Sequence, residues 1–378
     1  MSAENLPQVS IIIPTYNEAQ NLPLIVPRIS AELERCGLRG EIIVVDDDSP
    51  DGTGGPVAEK LAQRYPLRAL VRKGRRGLAT AVLEGFSCAR AEVLVVMDAD
   101  GSHPPEKIGE LVRPILQDQA DIVVASRNLP GGGSDDWPWY RRLASRTAAF
   151  LARPLCPLSD PTSGFMAVRR SVLDGRELKP LGYKIVLEVV VRSPGARLAE
   201  IPFVFQNRQL GQSKFGLAEQ WRYSRHLWRL YQYRFPEAGE FVRFCLVGLL
   251  GLLVDMAVVV ALRETLALDA RLCAVFGFLV AVSNNYIFNR YWTFPQGRRT
   301  PFFRGYVLFV SVCLLGLAAR LLVTHLLIEF FVLDRGRWYI MTNFIGIVTA
   351  TMINFLGAKY LALSPRRIVF RKEKGKDV

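Results

Sequence analysis

Residues 93–106 read "VLVVMDADGSHPPE", a run of apolar, strand-forming residues that ends in two carboxylates. Asp98 and Asp100 stand one residue apart, directly after that run. Two like charges this close repel each other unless a cation lies between them. A strand that simply ended could turn with Gly, Asn or Ser, so the paired carboxylates predict a cation site at a strand end.

The first 130 residues alternate between apolar strands and helices. Besides "EVLVVMDAD", strands are predicted in "VSIIIPTYNE", "EIIVVDDDSPDGT", "LRALVRK" and "DIVVASR". Helices are predicted over residues 22–36, 56–64, 78–90 and 105–117. Apolar strands separated by helices indicate a parallel sheet covered on both faces. Ligands of such sheets bind beyond the carboxyl ends of the strands, so the polar residues that follow each strand should share one crevice.

The sequence lacks the glycine patterns of two common nucleotide-binding folds. It has neither a Gly-x-Gly-x-x-Gly fingerprint nor a Walker loop. A dinucleotide-dependent redox fold and a P-loop ATPase are therefore disfavoured. Acidic residues at strand ends favour a site for a metal ion and a diphosphate instead.

The second part of the chain is dominated by long apolar stretches. At 378 residues the chain exceeds a usual single domain, and from residue 241 onward four segments reach the length needed to cross a bilayer. They lie near residues 244–262, 272–288, 306–328 and 339–363. The start, "MSAENLPQVS", does not resemble a signal peptide. We expect an integral membrane protein whose first domain stays in the cytoplasm.

Loop charges give the expected orientation of the four segments. The connection after the second segment and the tail after residue 364 are rich in Arg and Lys, whereas the other two connections carry balanced charges. By the positive-inside rule, both termini lie in the cytoplasm. The net charge of +13 is not accompanied by a nucleic-acid-binding motif, so we expect membrane phosphates rather than nucleic acid as its partner.

Two further features suggest contacts with the membrane. Residues 217–235 interleave aromatic and Arg side chains, as amphipathic helices at the bilayer surface do, although a helix packed on the soluble domain is the alternative. Asp255 and Arg320 lie inside apolar segments one and three. We expect these two charges to pair, which would make those helices neighbours, or else to face a path for a lipid headgroup.

A family resemblance covers nearly the whole chain. The motifs "IIIPTYNE", "VVDDDSPDGT", "GLATAVLEGF", "MDADGSHPPE", "DPTSGF" and "NRQLGQSKF", in this order, resemble the inverting GT-A glycosyltransferases of the dolichyl-phosphate mannose synthase branch. The later "VRFCLVGLLGLLVD" and "NNYIFNRYWTF" are similar to the GtrA-like membrane domain.

The resemblance implies an α/β fold and four parts of the chain. A GT-A, Rossmann-like domain with a mostly parallel sheet would span residues 1–216, followed by interfacial amphipathic helices over 217–240. An all-α transmembrane domain of four helices would span 241–364, and a basic cytoplasmic tail 365–378.

The resemblance also implies roles for individual residues. Asp98 and Asp100 match the DXD motif that binds Mg²⁺ or Mn²⁺, with Ser102 as a further candidate ligand. Such an ion neutralises the charge that develops on a leaving nucleoside diphosphate. Asp100 would also be catalytic, together with Arg127 and Arg208 at the phosphates. The nucleotide would be bound by Pro14, Tyr16, Glu18, Asp46, Asp48, Asp98 and Lys214.

The implied reaction transfers a hexose to polyprenyl phosphate with inversion. Mannose from GDP-mannose is favoured, because "DDDSPDGT" resembles mannose synthases more than the "DDGS" pattern of glucosyl relatives. The alternatives are a UDP-glucose-dependent enzyme and, from a different class, a translocator of lipid-linked sugars. Asp160 need not act as a general base, because a lipid phosphate is already ionised at neutral pH.

Overall fold

The structure is a computed structural model that describes residues 6–134, 137–182, 184–206, 217–266, 268–331 and 338–364. The chain divides into two compact units, one ending at Arg234 and the other beginning at Phe235.

The first unit is built on a seven-stranded sheet. Its strands are β1 (Val9–Thr15), β2 (Gly40–Asp46), β3 (Leu67–Val71), β4 (Val93–Val96), β5 (Ile122–Ser126), β6 (Met166–Arg169) and β7 (Leu198–Pro202). Their order in the sheet is β3-β2-β1-β4-β6-β5-β7. Only β6 runs antiparallel to its neighbours, β4 and β5. The predicted mostly parallel sheet is therefore confirmed.

Helices cover both faces of this sheet. They are α1 (Leu22–Arg35), α2 (Ala58–Ala62), α3 (Leu78–Cys88), α4 (Ile108–Leu116), α5 (Trp139–Ala152), α6 (Ile185–Val191) and α7 (Leu217–Arg234). Side chains alternate along β1, so Ile12 packs in the core with α3 and α6, whereas Ile11 and Ile13 pack in the core with α1 and α4. Burial on both faces explains why β1, β2, β4 and β5 are largely apolar.

Helix α7 packs on the first unit through one face. Its Leu227 and Leu230 are buried, and the hydroxyl of Tyr223 donates to the carbonyl of Ala148 in α5 (2.8 Å). Trp221 and Trp228 remain exposed. The alternative of a packed helix thus describes one face of α7, and the exposed tryptophans leave the opposite face suited to a membrane surface. The next helix begins at Pro236, inside the segment 217–240 that was predicted to be interfacial.

The second unit contains four long apolar helices. They are α8 (Pro236–Leu266), α9 (Ala270–Phe288), α10 (Phe302–Phe331) and α11 (Trp338–Gly357). Each is long and apolar enough to cross a membrane, as predicted. Short π-helical turns, Asn289–Thr293 and Ala358–Ala362, follow α9 and α11.

Helices α8 and α9 pack through reciprocal contacts between glycines and polar side chains. A Cβ atom at Gly251 of α8 would lie 2.3 Å from Oδ1 of Asn285 in α9. A Cβ atom at Gly277 of α9 would lie 2.5 Å from Oδ1 of Asp255 in α8. Each glycine therefore provides the space that the polar side chain of the facing helix occupies.

Helices α10 and α11 repeat this arrangement, and the number of residues between the glycine and the polar residue is the same in α10 as in α8 and the same in α11 as in α9. Gly316 faces Asn354, whose Oδ1 would lie 2.2 Å from an added Cβ atom, and Gly346 faces Arg320. The two helical hairpins of the second unit thus share one packing pattern. Arg320 donates to Oδ1 of Asn343 in α11 (3.1 Å), and no ion pair joins it to Asp255. The predicted Asp255–Arg320 pair is wrong, because each charge faces the other helix of its own hairpin.

The glycine contacts predict a position-specific effect on stability. We expect Gly251→Ala to destabilise the membrane domain by about 1–3 kcal/mol, because the new methyl group overlaps Asn285. Gly248→Ala, in the same helix, is the matched control, since a Cβ atom there meets nothing within 4 Å. Thermal unfolding of the detergent-solubilised protein measures both. Equal melting temperatures for the two variants would contradict the packing role of Gly251.

Candidate active site

A cavity of about 1860 Å³ lies in the first unit at the carboxyl ends of the parallel strands. It is lined by the loops that follow β1, β2, β4 and β5, and by α5 and α7. The predicted site residues that line it are Pro14, Tyr16, Glu18, Asp98, Asp100 and Arg127. Arg208 and Lys214, also predicted, lie outside the described residues.

Asp98 and Asp100 reach the cavity from the loop after β4. Gly101 has a left-handed φ of 78°, and this turn brings the backbone N–H of Ser102 to Oδ1 of Asp100 (3.0 Å). Asp100 is almost fully buried, whereas the Asp98 side chain is 30% exposed. The turn therefore presents two carboxylates of different exposure to the same cavity.

The donor set at this loop fits a hard divalent cation that also binds phosphates. Mg²⁺ is commonly held by one or two carboxylates together with substrate phosphates, rather than by a complete cage of protein ligands. Within the described part of the chain, no cluster of three or more His, Cys, Asp or Glu residues could hold a metal. Asp98 and Asp100 would supply two ligands, and a nucleotide diphosphate would supply others.

Ser102, the third predicted metal ligand, is less directly placed. It is fully buried and does not line the cavity. Its Oγ has no hydrogen-bond partner, while its carbonyl accepts the N–H of Gln206 (3.3 Å). The orphaned hydroxyl leaves an oxygen beside Asp100, and its binding to a metal stays a prediction.

Of the three acids after β2, the middle one lines the cavity. Asp46 is buried and accepts hydrogen bonds from Thr15 Oγ1 (2.8 Å) and from Ser49 Oγ (2.6 Å). Asp48 is exposed, and neither residue lines the cavity. Asp47, absent from the predicted site residues, does line it, with Arg72 at 2.6 Å from its Oδ1. The structure thus does not bring Asp46 and Asp48 to the cavity, and it adds Asp47.

The loops after β1 and β2 are held together around Tyr16 and Glu18. The N–H of Glu18 donates to Thr53 Oγ1 (2.9 Å), and its carboxylate accepts from Nδ2 of Asn21 (2.6 Å). The guanidinium of Arg76 lies 4.6 Å from the centroid of the Tyr16 ring. This aromatic and cationic pair borders the cavity and offers a flat surface for a nucleobase.

Arg127 forms a buried, two-pronged ion pair with Asp160. Its Nε donates to Oδ2 (2.6 Å) and its Nη2 to Oδ1 (2.8 Å), and Nη2 also reaches Thr162 Oγ1 (2.9 Å). Burial by itself would raise the pKa of Asp160, but the hydrogen bonds and charge of Arg127 hold it below its ordinary value. Asp160 is thus kept ionised and engaged, which argues against a role as general base.

The structure adds two cations that the sequence did not single out. Lys184 lines the cavity and donates from Nζ to the carbonyl of Thr162 (2.7 Å). Burial, together with the nearby charge of Arg127, lowers the pKa of Lys184 to about 7. Arg141 of α5 also lines the cavity, with its guanidinium 3.9 Å from the ring centroid of Trp137. Nothing in the sequence distinguishes Arg141 from Arg142 and Arg146 on the same Arg-rich helix.

Helices α5 and α7 add large apolar side chains to the lining of the cavity. They are Leu143 and Leu151 of α5, together with Trp221 and Tyr223 of α7. Trp139 and Phe150 extend the exposed apolar surface of α5. The cavity therefore combines charged groups with apolar side chains, a combination that suits an anionic head with a long hydrocarbon tail.

Sequence comparisons match both units. The profile described as "Glycosyl transferase family 2" matches residues 10–176, and "GtrA/DPMS, transmembrane domain" matches residues 243–363. A dolichol-phosphate mannosyltransferase of Pyrococcus furiosus is 36% identical over 92% of this chain and 97% of its own length. A polyprenol monophosphomannose synthase of Mycolicibacterium smegmatis is 41% identical over 54% of this chain and 79% of its own.

Solved structures are more distant relatives. Mannosyl-3-phosphoglycerate synthase from Rubrobacter xylanophilus aligns with a TM-score of 0.48 and 23% identity, covering 62% of this chain and 75% of that protein. Glucosyl-3-phosphoglycerate synthase from Mycobacterium tuberculosis, solved with Mn²⁺ and UDP, aligns with a TM-score of 0.43 and 21% identity, covering 60% of this chain and 80% of that protein.

Proposed function

Because the chain belongs to the dolichol-phosphate mannosyltransferases of glycosyl transferase family 2, we propose that it transfers mannose from GDP-mannose to a polyprenyl phosphate with inversion. The observation that carries this proposal is one cavity that combines paired carboxylates, cations and apolar walls. The paired carboxylates suit the metal-bound diphosphate of a nucleotide sugar. The cations suit the phosphate of the acceptor, and the apolar side chains suit a prenyl chain.

The donor would lie between the loops that follow β1, β2 and β4. Asp98 and Asp100 would hold Mg²⁺ or Mn²⁺ against the diphosphate of the nucleotide, and the ion would neutralise the charge that the leaving group acquires. Tyr16, with Arg76 beside it, would border the nucleoside. Arg208 and Lys214 remain predicted phosphate ligands.

The acceptor phosphate would bind near Arg141 and Lys184. Both cations line the same cavity as the two carboxylates and the apolar side chains of α5 and α7. Arg127 is largely engaged by Asp160, so we assign it mainly to organising this end of the cavity. The prenyl tail would leave along Leu143, Leu151 and Trp221 towards the bilayer.

The reaction needs no proton acceptor. An ionised oxygen of the lipid phosphate attacks the anomeric carbon, the bond from that carbon to the diphosphate oxygen breaks, and its electron pair leaves with GDP. In-line attack on an α-linked donor gives a β-linked mannosyl phosphate. Catalysis then comes mainly from positioning and charge neutralisation.

The test uses the purified full chain with GDP-mannose, Mg²⁺ or Mn²⁺, and polyprenyl phosphate. We expect metal-dependent formation of β-linked mannosyl phospholipid, identified by mass spectrometry and by analysis of the linkage. An α-linked product would refute inversion, and transfer only from UDP-glucose would refute the donor. A protein without any transferase activity would instead fit a translocator.

We propose that the first unit and the loop between α9 and α10 face the cytoplasm. The positive charges of Arg290, Arg298, Arg299 and Arg304 carry this proposal. In a variant without its native cysteines, a cysteine replacing Arg299 should react with a membrane-impermeant reagent only from the cytoplasmic side. A cysteine replacing Ala270, the exposed first residue of α9, should react only from outside. The reverse labelling pattern would invert the topology.

A further inference from the structure

His103 lies in the same loop as the paired carboxylates and contacts Asp98. Neither the reaction nor the metal site described above uses it. It lines the cavity and is 2% exposed. We propose that His103 is a positioning residue that fixes Asp98 for metal binding and is not itself a metal ligand. This inference rests on the proposed metal site.

The hydrogen bond from the backbone of Asp98 sets the tautomer of His103. The backbone N–H of Asp98 donates to Nδ1 of the ring (2.9 Å), so Nδ1 must carry a lone pair rather than a proton. The proton of the neutral ring is then on Nε2, which lies 3.9 Å from Oδ2 of Asp98. A protonated ring nitrogen has no lone pair to give a metal, and the other nitrogen is already occupied. His103 therefore faces the carboxylates as a donor.

Aromatic packing fixes the plane of the ring. His103 stacks on Phe165 at a centroid distance of 4.9 Å and an interplanar angle of 9°, and Phe203 meets its edge at 5.9 Å. Gly164 leaves the space that this arrangement needs, because a Cβ atom there would lie 3.3 Å from Cε1 of His103. Gly164 and Phe165 belong to "DPTSGF", so the ring ties that motif to "MDADGSHPPE".

The consequence is a fixed starting geometry for Asp98. Asp98 is the more exposed of the two acids, so its carboxylate is the more accessible to a metal ion in the cavity. The hydrogen bond to Nδ1 fixes the backbone of Asp98. The protonated Nε2 lies 3.9 Å from the carboxylate of the same residue. Partners behind a metal ligand typically change metal affinity or activity about 10–100-fold when they are lost.

The test measures binding of Mn²⁺ to the purified full chain in the presence of GDP, by electron paramagnetic resonance of free Mn²⁺. His103→Phe keeps an aromatic ring but loses the acceptor, and we expect it to bind Mn²⁺ about 10–100-fold more weakly than the wild type. His103→Asn can accept the Asp98 N–H through Oδ1, and we expect it to recover most of the affinity. Melting temperatures accompany both measurements, because a purely structural role would lower them without changing metal affinity.

The outcomes separate this role from the proposed function. Equal Mn²⁺ affinity of the wild type and His103→Phe would overturn the positioning role alone. If His103→Asn lost Mn²⁺ binding as completely as Asp100→Asn, His103 would be a direct ligand. That result would also overturn the positioning role. A wild-type protein that binds no Mn²⁺ would overturn the metal site and this role together.

Discussion

Asp100→Asn should lower turnover by orders of magnitude and leave the protein folded. The substitution removes the negative charge that would hold the metal against the diphosphate. It keeps the local structure, because Oδ1 of Asn can accept the same N–H of Ser102 that Oδ1 of Asp100 accepts. Turnover is measured with GDP-mannose and polyprenyl phosphate at saturating Mn²⁺, so that a weaker metal affinity alone does not account for the loss.

Asp174→Asn is the matched control for this experiment. It makes the same chemical change at an exposed acid that does not line the cavity. A surface substitution of this kind usually changes stability by less than about 0.5 kcal/mol, so the control should fold normally. We expect near-normal turnover from it. Near-normal turnover from Asp100→Asn as well would remove the argument for a catalytic metal at this loop.

The fold could be predicted where burial leaves a clear pattern. Strands β1, β2, β4 and β5 are largely apolar because helices cover both faces of the sheet, and each was expected from that composition. The edge strand β3, which contains Arg68, was expected as well. Strands β6 and β7 were not predicted. The first has four residues and ends in Arg169, and the second has no fully buried residue, so neither shows the apolar run that identified the others.

The sequence predicted which strand ends form the site, but it did not predict which individual side chains line it. Asp98 and Asp100 follow β4 and line the cavity, as their position suggested. The acids at 46–48 are chemically identical, and only the local backbone decides that Asp47 faces the cavity. Lys184 comes from the turn before α6, and only tertiary packing brings it beside Thr162.

The membrane spans could be predicted from length and composition, but their pairing could not. The prediction that Asp255 lies beside Arg320 assumed that opposite charges in apolar segments form a pair. The glycines were the better signal: in α8 and α10 the charged residue follows a glycine by four positions, and in α9 and α11 an asparagine follows a glycine by eight. That spacing marks two hairpins with the same contacts between glycines and polar side chains, and the hairpins meet in a shared core that includes Phe244, Tyr286 and Phe355.

Arg127 and Asp160 should show strong, non-additive coupling in a double-mutant cycle. Asp160→Asn leaves the buried Arg127 without its carboxylate, and Arg127→Met leaves the fully buried Asp160 without its cation. Removing one partner of a buried pair costs about 3–5 kcal/mol, because the remaining charge is desolvated and uncompensated. The double variant leaves neither charge buried, so it should be less destabilised than the sum of the single changes.

The cycle is read from thermal unfolding of the full chain in detergent near pH 7.5. Since the pKa of Asp160 lies below its ordinary value of 3.8, the pair stabilises the fold above that value and loses its effect only as the pH falls through the lower, folded-state pKa. Neutral pH therefore reports the whole contribution. Asp118→Asn is the surface control: it breaks an exposed pair with Arg197 and should cost less than about 1 kcal/mol.

Stability and turnover together decide what Asp160 does. If it organises the cavity through Arg127, Asp160→Asn and Arg127→Met should lose stability and turnover in parallel, since both disturb the same pair beside Thr162 and Lys184. Unchanged melting temperature with lost turnover in Asp160→Asn would give Asp160 a chemical role in the transfer. Strictly additive changes in stability would mean that the two buried charges do not depend on each other.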